Sequence, residues 1–299
     1  MPSDVTVTER STAEGIALMC AGVACLSAND AFAKFLVADY SPMQILFLRN
    51  VIALPFAIML TLRMGGPEAL RSRRPAAHVL RGTLWIVATV LFFTSFIHLD
   101  LAEATALIFV APLFITAISA VFLREQVGWR RWLAVSAGFI GVLIVIRPGT
   151  STFQSVSLLP VTTAFIYALL MLSARWVDPR ESVWTMLLYL TGASAVLSAF
   201  IVPFIWKPVA LEDLGLFAAI ALFGTAGMTM MTQAFRLASA AVVAPLDYSG
   251  LVWATAFGWL IWKEVPDEPT LLGASVIVAS GIYIIRRERK IAISGENHR

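Results

Sequence analysis

Charged, metal-binding and redox-active residues are scarce in this 299-residue chain, and each shortage excludes a class of protein. Only 14% of the residues are charged, far fewer than in a soluble domain, and a net charge of +3 gives no support to a role in binding nucleic acid. The chain has three histidines and two cysteines, and Cys20 and Cys25 have the spacing of neither a disulfide framework nor a metal site. We therefore expect no bound metal and no cofactor.

Sequence motifs of enzymes are also missing. The chain contains no HExxH or GxSxG motif, and one of its three histidines, His298, lies in the C-terminal tail. A membrane-embedded enzyme would need a nucleophile and a base, or a set of metal ligands, gathered in one place. It is the weakest of the alternatives, and we predict no catalytic residues.

Long apolar runs are what the chain has in abundance, because 59% of its residues are hydrophobic and its mean hydropathy is +0.82. A helix needs about 20 residues to cross a hydrocarbon core of roughly 30 Å, and backbone polar groups in lipid must be paired within the protein. We predict an all-α integral membrane protein with ten transmembrane helices. The predicted spans lie near residues 14–37, 41–62, 76–97, 102–123, 130–147, 155–176, 182–205, 212–235, 239–262 and 269–286.

Lysine and arginine are distributed unevenly between the predicted loops. If the N-terminus is cytoplasmic, 17 of the 20 lysines and arginines other than Lys34 and Arg49 lie on or near the cytoplasmic side. The other three, Arg147, Lys207 and Lys263, lie outside. Because positive residues accumulate on the cytoplasmic side, we predict that both termini are cytoplasmic. The polar N-terminus lacks the basic region of a signal peptide, so we expect the first span to be retained.

Two stretches of the sequence resemble each other at a fixed offset. Residues 95–127 align without gaps on residues 234–266, which places Glu125 on Glu264. Each half of the chain contains five predicted spans, an odd number, so the second half must enter the membrane in the opposite orientation. We predict a 5+5 inverted-topology repeat, with one five-helix domain over residues 1–149 and a second over residues 150–299. Such repeats are typical of transporters.

The same features resemble a known family. Ten spans in two groups of five, SPMQILFLRN at the start of span 2, AEATALIFVAPLFITAISAVFLRE in span 4 and a basic C-terminal tail are similar to the drug/metabolite transporter superfamily, EamA type. Within that superfamily the chain most resembles the bacterial aromatic amino-acid exporters of the YddG type. The resemblance implies a multi-pass protein of the bacterial inner membrane that works as a monomer and moves a small molecule across the lipid bilayer.

Charged residues lie inside spans 1 and 2. Asp30 is about 10 Å from the end of span 1 and Arg49 about 12 Å inside span 2, so the two residues share a depth. Asp30 and Lys34 lie on one helical stripe, which a short outer loop would bring beside Arg49. A charge that faces lipid costs at least about 2.5–3.5 kcal/mol, so these groups must pair or face a cavity. Two interpretations remain open, an ion pair that ties the spans together and cations that meet a substrate carboxylate or form a gate.

Span 9 contains a second polar candidate. Pro245 leaves the carbonyl of Ala241 without its usual helical partner, and Asp247 and Tyr248 follow it. A broken helix beside an acidic residue is where a transporter places a polar site. The alternatives are a tolerated kink at Pro245 and a structural role for Asp247.

An amino-acid zwitterion requires binding partners of both signs, and the deep polar residues include both. We predict that the protein exports aromatic or hydrophobic amino acids and related small metabolites by alternating access. Exporters of drugs, or of anionic metabolites such as nucleotide sugars, are the alternatives in the same fold. The aromatic residues could instead be ordinary packing residues. The predicted site comprises the cations Lys34 and Arg49, the anions Asp30 and Asp247, the neutral partners Asn29, Gln233 and Tyr248, and an aromatic wall of Trp85, Phe92, Tyr167 and Trp253.

The uneven charge distribution generates a test of the topology. In a variant without Cys20 and Cys25, a single cysteine at Ser72 should not react with a membrane-impermeant maleimide added to intact cells, whereas one at Ser151 should react. Permeabilised cells, in which both positions should react, are the control. Reaction at Ser72 and protection at Ser151 in intact cells would show the opposite orientation.

Overall fold

The computed structural model describes residues 3–122, 129–149, 154–178, 180–238 and 240–296. Glu125, Ser151 and His298 lie outside the described residues. The helices follow the predicted segments, so we keep the span numbers. Span 1 is Ser3–Leu36, span 2 Pro42–Gly65, span 3 Pro75–Ser95, span 5 Trp129–Ile146, span 6 Leu158–Leu172, span 7 Val183–Ala199, span 8 Leu214–Leu237 and span 10 Glu268–Glu296.

Spans 4 and 9 are interrupted helices. Span 4 consists of Leu101–Ile108 and Ala111–Phe122. Span 9 consists of the α-helices Ala240–Val243 and Gly250–Phe257, the 3₁₀ helix Ala244–Ser249 between them and a π-helical turn at Gly258–Trp262. The break predicted at Pro245 is therefore present, because a residue without an N–H cannot continue the α-helical hydrogen-bond ladder.

Helix length separates nine of the spans into two groups, and the interrupted span 9 belongs to neither. By length and composition, six helical stretches among the described residues can cross a membrane, and they belong to spans 1, 2, 3, 4, 6 and 8. Spans 5, 7 and 10 contain shorter apolar helices. The protein is thus a multi-pass helical membrane protein.

Local sequence signals explain where span 2 begins and ends. The Ser41 hydroxyl accepts a hydrogen bond from the Gln44 N–H at 3.2 Å, and Pro42 occupies the first turn. At the other end Gly66 has a φ of 75°, and its N–H donates to the carbonyl of Leu62. A glycine adopts this left-handed conformation without the strain that a side chain would add.

The chain folds into two compact units, and each draws on both halves of the sequence. Unit I contains Met1–Ala28, Asp100–Gln154 and Ala226–Arg299. Unit II contains Asn29–Leu99 and Ser155–Thr225.

Contacts in unit I fix the relative direction of three helix pairs, and all three are antiparallel. At the crossing of spans 5 and 10, a Cβ added to Gly141 would lie 2.8 Å from the carbonyl oxygen of Gly273, so only glycine allows this approach. The contacts that fix direction are Gly141 with Ile277 and Val145 with Gly273 for spans 5 and 10, Gly15 with Ala238 and Gly22 with Met231 for spans 1 and 8, and Leu101 with Glu264 and Phe109 with Gly250 for spans 4 and 9.

Unit II contains three further pairs whose direction is fixed in the same way. Spans 2 and 7 are antiparallel, as are spans 3 and 6, whereas spans 3 and 7 are parallel. The contacts are Gln44 with Lys207 and Thr61 with Trp184 for spans 2 and 7, Arg81 with Leu170 and Ala88 with Thr163 for spans 3 and 6, and His78 with Tyr189 and Gly82 with Ser194 for spans 3 and 7.

Spans 2 and 7 are also held together through the loops at one end of the pair. The Gln44 side chain donates to the carbonyl of Lys207 at 2.7 Å and accepts from its N–H at 2.9 Å. The hydroxyl of Tyr40 donates to the Asp213 carboxylate at 2.6 Å. These contacts join the loop between spans 1 and 2 to the loop between spans 7 and 8.

At the opposite end, Glu181 joins the loop after span 2 to the loop after span 6. Its carboxylate accepts hydrogen bonds from the Ser72 hydroxyl at 2.9 Å and the Arg73 N–H at 2.6 Å, and it lies 2.7 Å from Nε2 of His78. His78 and Glu181 are only 1% and 3% exposed. Burial alone would raise the pKa of Glu181, but the hydrogen bonds from His78, Arg73 and Ser72 outweigh it and hold the pKa below its usual value.

We expect the Glu181 carboxylate to stabilise the fold in a pH-dependent way. Because its folded-state pKa is lowered, its contribution is present above the unfolded-state pKa of about 4.3 and is lost as the pH falls through the folded-state value. Glu181→Gln should reduce the free energy of unfolding at pH 7 by about 1–3 kcal/mol. Thermal unfolding in detergent at several pH values measures this difference, which should shrink below about pH 4.

The control for this prediction is Glu212→Gln, because Glu212 is exposed in the loop between spans 7 and 8. It should unfold like the wild type at every pH. A Glu181→Gln variant whose destabilisation stayed constant down to acid pH would contradict the role of the ionised carboxylate.

Candidate functional site

Arg49 is the centre of a buried polar group in unit II. The residue is 9% exposed, and its guanidinium makes no hydrogen bond to any residue that the structure describes. Its Cζ lies 5.9 Å from the centre of the Trp85 ring, in a cation–π arrangement. The Asp30 carboxylate is close enough to interact electrostatically with Arg49, but the described residues include no ion pair between them within 4 Å.

Asn29 holds the Asp30 side chain in place. Its Nδ2 donates to the Asp30 carboxylate at 2.9 Å, whereas its Oδ1 is buried and has no hydrogen-bond partner among the described residues. Asn29 itself is 2% exposed. Asn50, next to Arg49, also has a buried amide nitrogen that is unpaired within the described part of the chain. A buried polar group without a partner costs stability, so its retention in a folded protein calls for an explanation.

An ion pair of Asp30 with Lys34 or Arg49 is one of the two interpretations that the sequence leaves open, and the contacts described for these residues are different ones. Lys34 instead donates from Nζ to the carbonyl of Leu99 at 3.1 Å, just beyond the end of span 3. The position of Lys34 explains this contact, since it lies in the last turn of span 1, where the carbonyls that end another helix attract a cation. Lys34 therefore ties two helix ends together.

Gly224 on span 8 makes room for the polar groups. A Cβ at this position would lie 2.8 Å from Oδ1 of Asn29, 3.0 Å from Nη2 of Arg49 and 3.1 Å from Nε of Arg49. The acceptor of Asn29 and the donors of Arg49 therefore pack side by side against the same glycine. Neither Gly224 nor Asn50 is among the predicted site residues. For Gly224 the reason is that a lone glycine in an apolar span carries no sequence signal for a polar neighbour.

Aromatic side chains on the same helices supply the apolar part of the site. Trp85, one of the residues predicted for the aromatic wall, is half-buried beside Arg49. Phe32 and Phe223 pack with ring centres 5.5 Å apart. They lie one turn from Asn29 and next to Gly224, respectively.

Two other predicted aromatic residues of unit II lie elsewhere. Phe92 is buried against Phe96, with ring centres 4.7 Å apart. Tyr167 lies near Arg81, whose guanidinium donates to the carbonyl of Leu170 at 2.9 Å. Phe92 therefore packs within span 3, and Tyr167 lies on span 6, which pairs with span 3.

The remaining predicted residues belong to unit I. Tyr248 is buried, with its ring 5.1 Å from that of Phe109, and its hydroxyl finds no hydrogen-bond partner in the described ranges. Its ring packs against Phe109, and its predicted role as a polar partner stays a prediction. Asp247 is exposed on the 3₁₀ segment, Gln233 is half-buried on span 8 and Trp253 stacks on Phe257 at 6.3 Å.

Metal chemistry has no visible basis in the described part of the chain. Its residues include no group of three or more histidine, cysteine, aspartate or glutamate side chains that could hold a metal ion. Cys20 and Cys25 are free thiols.

A buried guanidinium between the helices of a multi-pass membrane protein is typical of a substrate or ion pathway. The model of the EamA-like transporter family matches the sequence twice, over residues 13–147 and 154–287, and the chain belongs to this family. The two matches correspond to two successive copies of the family's repeat. Family and relatives are transporters rather than enzymes.

Three relatives show the range of solutes. The chain is 28% identical over 280 residues to the S-adenosylmethionine uptake transporter of Rickettsia bellii, covering 92% of this chain and 94% of the relative. It is 27% identical to the pseudopaline exporter of Pseudomonas aeruginosa, with 92% and 97% covered. It is 33% identical over 259 residues to the riboflavin transporter of Vibrio cholerae, with 81% and 83% covered.

A solved crystal structure has the same fold. It superposes with a TM-score of 0.61 at 17% identity, covering 93% of this chain and 97% of the solved one.

Proposed function

We propose that this protein exports aromatic or hydrophobic amino acids and related small metabolites across the bacterial inner membrane by alternating access. The observation that carries the proposal is the Arg49 guanidinium, buried beside Trp85 without a hydrogen-bond partner among the described residues. A carboxylate matches the two parallel N–H groups of a guanidinium better than any other common anion except phosphate. The nearby Asp30 supplies the opposite charge that an ammonium group requires.

The charge balance favours a zwitterion over a polyanion. Nucleotide sugars and other anionic metabolites need several converging cations, whereas Arg49 has an acidic neighbour in Asp30 and Lys34 is bound to the carbonyl of Leu99. One cation and one anion at similar depth match the two charges of an amino acid. The half-buried face of Trp85 offers an aromatic side chain a stacking partner worth about 0.5–1.5 kcal/mol.

Helix directions support a 5+5 inverted repeat of ten spans. In a chain of alternating spans, helices an odd number of spans apart are antiparallel and those an even number apart are parallel. All six pairs described above follow this rule, including the parallel spans 3 and 7. Spans 2, 4 and 5 each run antiparallel to the counterpart five spans later, as two halves of opposite orientation require.

Loop contacts support the same alternation. The contacts of Gln44 and Tyr40 join the loops after spans 1 and 7, which the predicted topology places outside. Glu181 joins the loops after spans 2 and 6, which it places inside. An ion pair between Arg147 and Asp267, at 2.5 Å, joins the loops after spans 5 and 9, both again outside. We therefore propose cytoplasmic termini, since the positive loops mark the inner side.

S-adenosylmethionine is a second candidate substrate. The relative from Rickettsia bellii is named for its uptake and aligns with 92% of this chain. Because S-adenosylmethionine carries an α-amino acid group at one end and an aromatic base at the other, it presents the same features to Arg49 and Trp85. Riboflavin has no such charged end.

Transport by purified protein in liposomes tests the proposal. Labelled phenylalanine and tryptophan should move faster than glutamate, riboflavin or a sugar phosphate, with S-adenosylmethionine as the decisive additional substrate. Arg49→Gln should weaken apparent affinity for the amino acids about 10- to 150-fold, since a charge-assisted hydrogen bond to a buried group contributes about 1.5–3 kcal/mol. Asp247→Ala should slow transport while leaving the yield of folded protein intact, and an unchanged rate would remove Asp247 from the site.

The matched control is Arg63→Gln, which removes an exposed arginine from the last turn of the same helix. It should transport like the wild type. Equal movement of every solute, or movement of riboflavin alone, would contradict the proposed substrate class.

A further inference from the structure

We infer that unit II recognises the α-amino acid head group as a whole, with Arg49 binding the carboxylate, Asn29 and Asp30 binding the ammonium, and Gly224 allowing the Asn29 and Arg49 side chains to pack side by side against span 8. The inference rests on the proposed function for the amino-acid class of substrate. The inference goes beyond the proposed function because it assigns each charge of the head group to named residues of the protein. It also makes recognition independent of the side chain of the bound amino acid.

Two groups of opposite hydrogen-bonding character carry the inference. The Arg49 guanidinium has only donors, and Oδ1 of Asn29 is an acceptor. Both residues are more than nine-tenths buried. Oδ1 of Asn29 has no hydrogen-bond partner in the part of the chain that the structure describes, and the contact described for the Arg49 guanidinium is the cation–π contact with Trp85. A ligand that satisfies both must present an acceptor and a donor.

The positions of these groups set the size of that ligand. Oδ1 of Asn29 and Nη2 of Arg49 would lie 2.8 Å and 3.0 Å from one Cβ at Gly224, so they are separated by less than the sum of these distances. In an α-amino acid the ammonium and the carboxylate are attached to the same carbon, which gives them a comparably short separation. Phosphate and sulfonate would satisfy Arg49 but would leave the Asn29 oxygen facing an anion.

Asp30 gives the acceptor side its charge. The Asn29 amide uses Nδ2 to hold the Asp30 carboxylate at 2.9 Å, which turns Oδ1 away from that contact and leaves it available. An ammonium bound at Oδ1 therefore has a carboxylate in its neighbourhood. A neutral ligand would gain nothing from Asp30.

Gly224 is the positioning residue of this arrangement. A methyl group there would overlap both the Asn29 oxygen and the Arg49 guanidinium, and one or both side chains would have to move. Gly215 lies on the same helix, with nothing within 4 Å of an added Cβ. The pair Gly224→Ala and Gly215→Ala thus separates the loss of the site from the general effect of alanine in this helix.

Binding of three related compounds to the purified wild-type protein tests the inference. L-phenylalanine, 3-phenylpropanoate and phenethylamine share the ring, but the second lacks the ammonium and the third lacks the carboxylate. Each analogue should bind at least about tenfold more weakly than phenylalanine, measured by displacement of labelled phenylalanine. Equal binding of 3-phenylpropanoate and phenylalanine would overturn the assignment.

The variants divide the head group between its partners. Asn29→Ala should reduce the preference for phenylalanine over 3-phenylpropanoate, and Arg49→Gln should reduce the preference over phenethylamine. Gly224→Ala should weaken phenylalanine binding about tenfold or more, while Gly215→Ala leaves it unchanged. Gel filtration and the unfolding temperature of each variant show whether it is folded. The comparison of the three compounds on the wild-type protein tests the inference even if a variant does not fold.

The same assay with S-adenosylmethionine separates this inference from the proposed function. If phenylalanine does not bind but S-adenosylmethionine does, and its decarboxylated form does not, the substrate class is wrong and the head-group assignment holds. If riboflavin is the ligand and no amino acid competes with it, the head-group assignment is wrong.

Discussion

The cost of burying the Arg49 guanidinium determines how the polar residues of unit II are arranged. A central arginine facing lipid costs at least about 2.5–3.5 kcal/mol, and a cation–π contact such as that with Trp85 returns only about 0.5–2 kcal/mol. A direct ion pair with Asp30 would compensate more, but Asp30 is held by Asn29 instead. The separation leaves both charges available. A closed pair would stabilise the fold and leave the site with nothing to bind a zwitterion.

This arrangement requires a firm frame around it, and spans 2 and 7 provide one. The hydrogen bonds of Gln44 with the backbone of Lys207 close one end of this helix pair, five residues from Arg49 along span 2. Thr61 bonds to the carbonyl of Trp184 towards the other end. Because span 2 is fixed on both sides of Arg49, the Arg49 guanidinium is held at a defined depth. Pre-organisation of this kind reduces the ordering that binding would otherwise require.

The sequence predicts those features that follow from helical periodicity and the cost of buried charge. The shared depth of Asp30 and Arg49, and the break at Pro245, are of this kind. Contacts between distant segments are not, because no periodic pattern reports them. Lys34 contacts the carbonyl of Leu99, 65 residues away, although its helical stripe placed it with Asp30, and His78 contacts Glu181, 103 residues away. The role of Gly224 cannot be predicted from the sequence for a simpler reason, since it depends on the absence of a side chain.

A structure of the protein with L-phenylalanine bound tests the central claim most directly. The account predicts the ligand carboxylate within about 3.2 Å of the Arg49 guanidinium nitrogens, its ammonium within hydrogen-bonding distance of Oδ1 of Asn29, and its α-carbon against Gly224. Density for phenylalanine elsewhere, with Arg49 bonded directly to Asp30, would contradict it.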